Sequence, residues 1–133
     1  MKTVLSIAGT DSTGGAGIQA DLKTIEAHGL FGMAAITVVI AQNTTGVYAM
    51  QPVSPELVAK QIDCVFDDIR PDAVKLGMLY DADIICAVAD RLRAHHAKNI
   101  VLDPVLISSS GHDLSQPDAL PAVLEHILPL CTL

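Results

Sequence analysis

Residues 9–17 read GTDSTGGAG, four glycines in nine positions, and IQADLKTI follows directly. Glycines at that density before an amphipathic run predict a loop whose backbone amides can face an anion at a helix start. It is not a P-loop: Gly9 and Gly14 have the GxxxxG spacing, but Gly15 stands where the pattern needs lysine. Gly15, Gly17 and Ala20 match the GxGxxA form of a dinucleotide loop. That form also wants an acidic residue about 20 positions on, to hold ribose hydroxyls. Residues 34–43 contain none. A glycine turn that only lets helix and strand pack closely is the plainer alternative, and the local pattern leaves it open.

Asp21 lies three residues after Ile18 and four before Ile25, at the edge of an apolar helical stripe. A carboxylate there is costly without partners; a partly solvated helix acid is the alternative, since most aspartates are exposed. With Gln42, at the end of the second aliphatic run, it can accept and donate hydrogen bonds to a flat polar heterocycle. Asp103 closes another aliphatic run before Pro104. It is placed either to orient Mg²⁺ or a ligand phosphate through water, or simply to begin a turn.

Other chemistry-bearing residues form no recognisable set. His95 and His96 are adjacent, so on a helix they point about 100° apart and cannot share a metal. With Arg91 and Arg93 they read as a solvated helix end. His112 and His126 lack partner ligands at metal-binding spacing. Cys64, Cys86 and Cys131 are odd in number, contain no CxxC pair and suit a reducing cytosol. They read as core residues rather than nucleophiles. No zinc set and no Ser-His-Asp arrangement emerges.

The elements that must position these residues alternate between two kinds. TVLSIAG (3–9), AAITVVIA (34–41), AVKLG (73–77) and NIVLD (99–103) are short runs that are largely aliphatic, as strands of a covered parallel sheet are. Between them lie segments of helical spacing. The first runs from about Gly15 to His28. The second begins at Ser54-Pro55, a cap followed by proline at the first helical position, and ends at Arg70-Pro71. A third starts near Asp81 and carries Ile84, Ile85, Val88 and Leu92. A fourth follows Pro117 with Leu120, Val123, Leu124 and Ile127, and stops at Pro129. Such alternation implies right-handed βαβ crossovers in a layered α/β fold. Ligands in such folds sit beyond the carboxyl ends of the strands. Asp11, Gln42-Asn43-Thr44-Thr45, Met78, Asp103 and the SSSG at 108–111 all follow strands there, so that rim is the candidate site.

The chain has 133 residues, which suits one domain, and half of them are hydrophobic with 3% aromatic, so the core is aliphatic. A formal net charge of −7 argues against nucleic acid, whose phosphates attract basic surfaces. MKTVLSIAGTD is too short an apolar run for a signal peptide and reads as a strand. No stretch approaches the roughly 20 apolar residues of a membrane helix. A cytoplasmic protein without membrane partners is expected.

Taken in order, SIAGTDSTGGAGIQADLKTI, AQNTTGV, VKLGML and VLDPV…SSSG resemble the phosphomethylpyrimidine kinases of thiamine synthesis, members of the ribokinase-like superfamily. The match runs over essentially the whole chain, and its motifs are specific as a set. The resemblance implies a ribokinase-like layered α/β fold with a mainly parallel central sheet. It implies ATP- and Mg²⁺-dependent phosphorylation of 4-amino-5-hydroxymethyl-2-methylpyrimidine and then of its monophosphate. By the same resemblance Gly9, Asp21, Gln42, Met78 and Val105 hold the pyrimidine, and Asp103 lies near the phosphates and metal without being a direct ligand. The glycine loop then lies beneath the vitamin substrate and has no need of a P-loop lysine.

The family carries its ATP side in a second half, with a TPN stretch, a lysine-glycine-glycine segment and a GTG loop followed by the catalytic cysteine or aspartate. None of these motifs occurs in residues 1–133, so the resemblance implies the N-terminal, acceptor half, no catalytic residue, and no turnover by this chain alone. Family members commonly form dimers, and self-association is expected. A pyridoxal-type vitamin kinase and a non-catalytic small-molecule binding fragment are the alternatives. A nucleotide-dependent oxidoreductase is weakened by the missing acid after the second strand.

Overall fold

The computed structural model describes residues 1–105, 111 and 113–133. Strand β1 (Thr3–Ala8) leads through the glycine loop into helix α1 (Gly17–Ala27), which returns to β2 (Phe31–Ile36). Then come β3 (Val38–Asn43), β4 (Gly46–Pro52), α2 (Pro55–Asp68), β5 (Ala73–Leu76), α3 (Ala82–Ala94) and β6 (Ile100–Leu102). A last helical stretch starts as α4 (Ala119–Ala122), widens over Val123–Ile127 and tightens to a 3₁₀ turn at Leu128–Leu130. Pro129 has no N–H to give the i→i−4 ladder, which accounts for the stop expected there.

Strands β2-β1-β5-β6 form one parallel sheet in that order. The period of two divides its side chains between two faces. Leu5, Ile7, Val74, Leu76 and Ile100 join Val58, Ile62, Ile84, Ile85, Val88 and Leu92 of α2 and α3, with Ile127, in the main aliphatic core. Ser6 and Lys75, register partners on β1 and β5, take the alternate positions and meet α1. On that side α1 sits close to the sheet because Gly32 leaves room for Leu22 and Ile25. A Cβ at Gly32 would lie 2.8 Å from Leu22 Cδ2.

The expected helix positions hold at α2 and α3. Ser54 accepts from Leu57 N at the start of α2, and Asp81 accepts from Ile84 N at the start of α3. Helix α1 begins at Gly17 rather than Gly15, because Asp11 captures the amides of Gly15 and Ala16 in the loop. Histidine 95 is not a solvated helix end. Its ring stacks on Phe66 with centroids 4.7 Å apart, and its Nε2 lies 2.7 Å from Asp63 Oδ1.

The segment 34–41 is not one strand of the parallel sheet. It breaks at Thr37, where β2 ends and β3 leaves to pair antiparallel with β4 as a separate two-stranded ribbon. Thr37 is fully buried and fixes the departure three ways. Its N–H donates to Ala8 O, its carbonyl accepts from Val53 N, and its hydroxyl donates to Met78 O at 2.7 Å. Strand β4 was not expected: GVYAMQP is half-exposed along its length, so it lacks the continuous apolar run of a sheet-centre strand. Gln42 therefore reaches the rim from the ribbon, not from the end of a sheet strand.

No helix among the described residues is long and apolar enough to cross a membrane.

Candidate functional site

At the carboxyl end of the sheet lies a cavity of about 230 Å³ between the sheet, α1 and the ribbon. Its size is near the lower end for small-molecule sites, which run from roughly 300 Å³ upward. Each side of it follows from a local feature of the chain.

The floor is the glycine loop. Asp11, 5% exposed, folds its carboxylate back into the loop. One oxygen accepts from Thr13 N and Thr13 Oγ1 at 3.1 Å; the other accepts from Gly15 N and Ala16 N at 2.9 Å. Burial would raise this carboxyl, but the hydrogen bonds from Thr13, Ala16 and Gly15 outweigh it and hold Asp11 below the ordinary aspartate range. The amides that the sequence offered to an anion are thus satisfied by the chain's own carboxylate. A dinucleotide pyrophosphate has no seat there.

Close backbone approach accounts for two of the glycines. Gly17 has φ +59°, and a Cβ on it would fall 2.5 Å from Gly9 O, the carbonyl that accepts the Ile18 N–H. Gly9 itself leaves space for Met78 Sδ and Ile40 Cδ1, which would lie 3.2 and 3.3 Å from a Cβ.

The apolar wall is a small second core of Val38, Ile40, Met78 and Leu114, with Val105 packed against it. Thr10 ties the ribbon to the loop through Ile40 N at 2.8 Å, and Ser12 Oγ donates to Ile40 O at 2.9 Å. These bonds hold β3 so that Gln42 faces the cavity.

The polar wall joins α1 to β5. Asp21 accepts from Ser6 Oγ at 2.6 Å and from Lys75 Nζ at 2.8 and 3.0 Å, one contact to each carboxylate oxygen. The two side chains are 18% and 26% exposed, both at the cavity surface. Asp103 follows β6, its N–H bonded to Leu76 O, and is an exposed residue of the cavity wall.

The six residues that the family resemblance assigned to the site, Gly9, Asp21, Gln42, Met78, Val105 and Asp103, line this one cavity, whereas the rim residues Asp11, Asn43, Thr44 and Thr45 do not. Of the SSSG at 108–111, positions 108–110 lie outside the described residues, as does His112. Lys75 joins the site although AVKLG reads as an aliphatic strand; a lysine inside such a run is itself a signal that an acid partner is near.

The sequence profile of the family described as phosphomethylpyrimidine kinase matches residues 11–133. The chain belongs to this family. Among curated members, the hydroxymethylpyrimidine/phosphomethylpyrimidine kinase of Salmonella typhimurium is 50% identical over 129 residues, 97% of this chain and 48% of that protein. The chain thus spans about half the length of the curated relatives it matches. The crystal structure of the phosphomethylpyrimidine kinase from Clostridium difficile superposes with a TM-score of 0.92 at 46% identity, covering 98% of this chain and 57% of that one. The pyridoxal kinase of Staphylococcus aureus, solved in complex with AMP-PCP and pyridoxal, superposes with a TM-score of 0.82 at 33% identity, covering 99% and 46%. The fold is the ribokinase-like α/β fold, and phosphomethylpyrimidine kinases are phosphotransferases.

Proposed function

We propose that these residues form the acceptor side of a kinase that phosphorylates 4-amino-5-hydroxymethyl-2-methylpyrimidine, and then its monophosphate, in thiamine biosynthesis in the cytoplasm. One observation carries this reading: a ring-sized cavity, apolar on the Met78 and Val105 side and polar at Asp21 and Gln42, in a chain of this family. A flat heterocycle fits between the two walls. The Asp21 carboxylate accepts from the exocyclic amine, while the Gln42 amide both donates and accepts at the ring edge. The hydroxymethyl group then points toward Asp103.

ATP is the phosphoryl donor in this reading, and its phosphates are not seated on the glycine loop, whose amides Asp11 occupies. Mg²⁺ keeps several waters and takes one or two carboxylates beside phosphate oxygens. Asp103 fits that role, acting through water. Among the described residues no group of three or more acidic, histidine or cysteine side chains is assembled for a metal. When bound, the metal neutralises charge on the transferring phosphoryl group.

Residues 1–133 alone bind the acceptor and do not turn over. The one cation on the described cavity wall, Lys75, is engaged by Asp21, so little is left to stabilise a phosphoryl group in flight. Incubation of the isolated chain with ATP, Mg²⁺ and the pyrimidine, followed by chromatography, is expected to give no monophosphate. Product above the protein-free control overturns that expectation. Self-association is proposed as well, since Leu120, Leu124 and Leu128 are all about half exposed at helical spacing. Sedimentation that returns only monomer contradicts it.

A pyridoxal-type acceptor is the second reading, favoured by the likeness to the Staphylococcus aureus pyridoxal kinase. Competition of the hydroxymethylpyrimidine with pyridoxine, followed by ligand-observed NMR, separates the two. The pyrimidine is expected to displace pyridoxine at equal concentration.

A further inference from the structure

Lys75 is the one charged group of the described cavity wall without a task toward the ligand in the proposed function. Its ammonium spans both oxygens of Asp21, at 2.8 and 3.0 Å. That carboxylate takes at most two of its three N–H bonds, so at least one is left over. The pair sums to zero charge. Facing it among the described residues are Ser6 from β1, which donates to Asp21, and on the cavity wall Gln42 from β3 and Asp103 after β6. Of these only Asp103 is charged.

The charge state matters because a 4-aminopyrimidine is a weak base that protonates on a ring nitrogen. The proton goes mainly to the ring nitrogen para to the amine, and resonance spreads the positive charge onto the amine edge, which a bare carboxylate favours. With Asp21 alone the site would select the cation. With Lys75 on both carboxylate oxygens, a second cation at that edge meets an ammonium a few ångströms away. The neutral ring carries no such charge and keeps its full acceptor strength at the nitrogen beside the amine donor. That pattern matches the remaining N–H of Lys75 beside an oxygen of Asp21.

We propose that Lys75 is a specificity-determining residue that makes this site take the uncharged form of an aminopyrimidine and reject its protonated form. The inference rests on the reading of the cavity as a pyrimidine site. Gly77 belongs to the same device: a Cβ there would fall 3.0 Å from Lys75 Nζ and 2.9 Å from Ala8 Cβ, so glycine is what lets the ammonium lie against the strand.

The test is the affinity of 4-amino-5-hydroxymethyl-2-methylpyrimidine as a function of pH, for the wild type, Lys75→Met and Lys75→Arg, with Lys75→Gln as the polar neutral variant. Wild type and K75R are expected to hold or lose affinity as pH falls, because the protonated fraction is rejected. K75M and K75Q are expected to gain affinity as pH falls, approaching about tenfold per pH unit while the ring is mostly neutral. A lysine that merely braces the fold would lower affinity at every pH without inverting the profile. Circular dichroism melts confirm that each variant is folded, and K75Q serves if K75M is not. Parallel profiles in wild type and the neutral variants overturn the role of Lys75 while leaving the pyrimidine site standing. No binding by the wild type overturns the pyrimidine site, and this inference with it.

Discussion

Lys75 Nζ lies 2.8 Å from Asp21 Oδ2, a contact between residues 54 apart in sequence that locks helix α1 to strand β5 across the end of β1. The period of the strands puts Lys75 on the α1 face of the sheet beside Ser6, and the helical period puts Asp21 directly above them. Breaking a buried pair from one side leaves an uncompensated charge, at about 3–5 kcal/mol when fully buried. At this partly exposed site Lys75→Met should cost less, about 1–3 kcal/mol after solvent screening. Urea unfolding measures it. The double variant Lys75→Met/Asp21→Leu should recover part of the loss, and a loss that simply adds would show that the two residues are not coupled.

Asp11 gives the fold an acid-sensitive clasp. Its carboxyl is held below the ordinary value of 3.8 in the folded chain. A depressed folded-state value contributes stability above the unfolded-state value and loses it as pH falls through the folded one. Asp11→Asn should therefore cost about 1–3 kcal/mol near neutrality, since an amide meets the N–H groups of Gly15 and Ala16 less well. The gap between variant and wild type should be level above about pH 5 and close below the unfolded-state value. Paired denaturation curves across that range check it; a gap that stays constant down to the acid limit would contradict the assignment.

The glycine loop has little room for error at Gly17. Alanine there combines a left-handed backbone with a Cβ 2.5 Å from Gly9 O, and the obstacle is backbone rather than a flexible side chain. Gly17→Ala should cost about 1–3 kcal/mol from the backbone conformation alone, and more from the clash. It should also weaken ligand binding, because relief requires Gly9 to move from the cavity floor. Gly29→Ala, also left-handed but with nothing within 4 Å of a Cβ, is the control that loses stability without losing binding.

Much of this was legible in the chain itself. Alternating aliphatic and amphipathic runs predicted the parallel sheet and the starts of α2 and α3. The rim rule reached Gln42, Met78 and Asp103, the helical stripe marked Asp21, and the family resemblance supplied Gly9 and Val105. Three features were not legible, each because a tertiary contact overrides a local pattern. AAITVVIA reads as one strand because nothing local marks Thr37, whose bonds to Ala8, Val53 and Met78 turn the chain into the ribbon. His95 reads as solvated until Phe66 and Asp63, on another helix, are seen to enclose it. The glycine loop reads as an anion cradle, and it is one, but the anion is Asp11.

The most direct test of the central claim is a calorimetric titration of 4-amino-5-hydroxymethyl-2-methylpyrimidine into the 133-residue chain and into its Asp21→Ala variant. The account predicts saturable one-site binding to the wild type and at least about a tenfold loss in the variant, the equivalent of one charge-assisted hydrogen bond at roughly 1.5 kcal/mol or more. No binding by the wild type, or equal binding by both proteins, would contradict it.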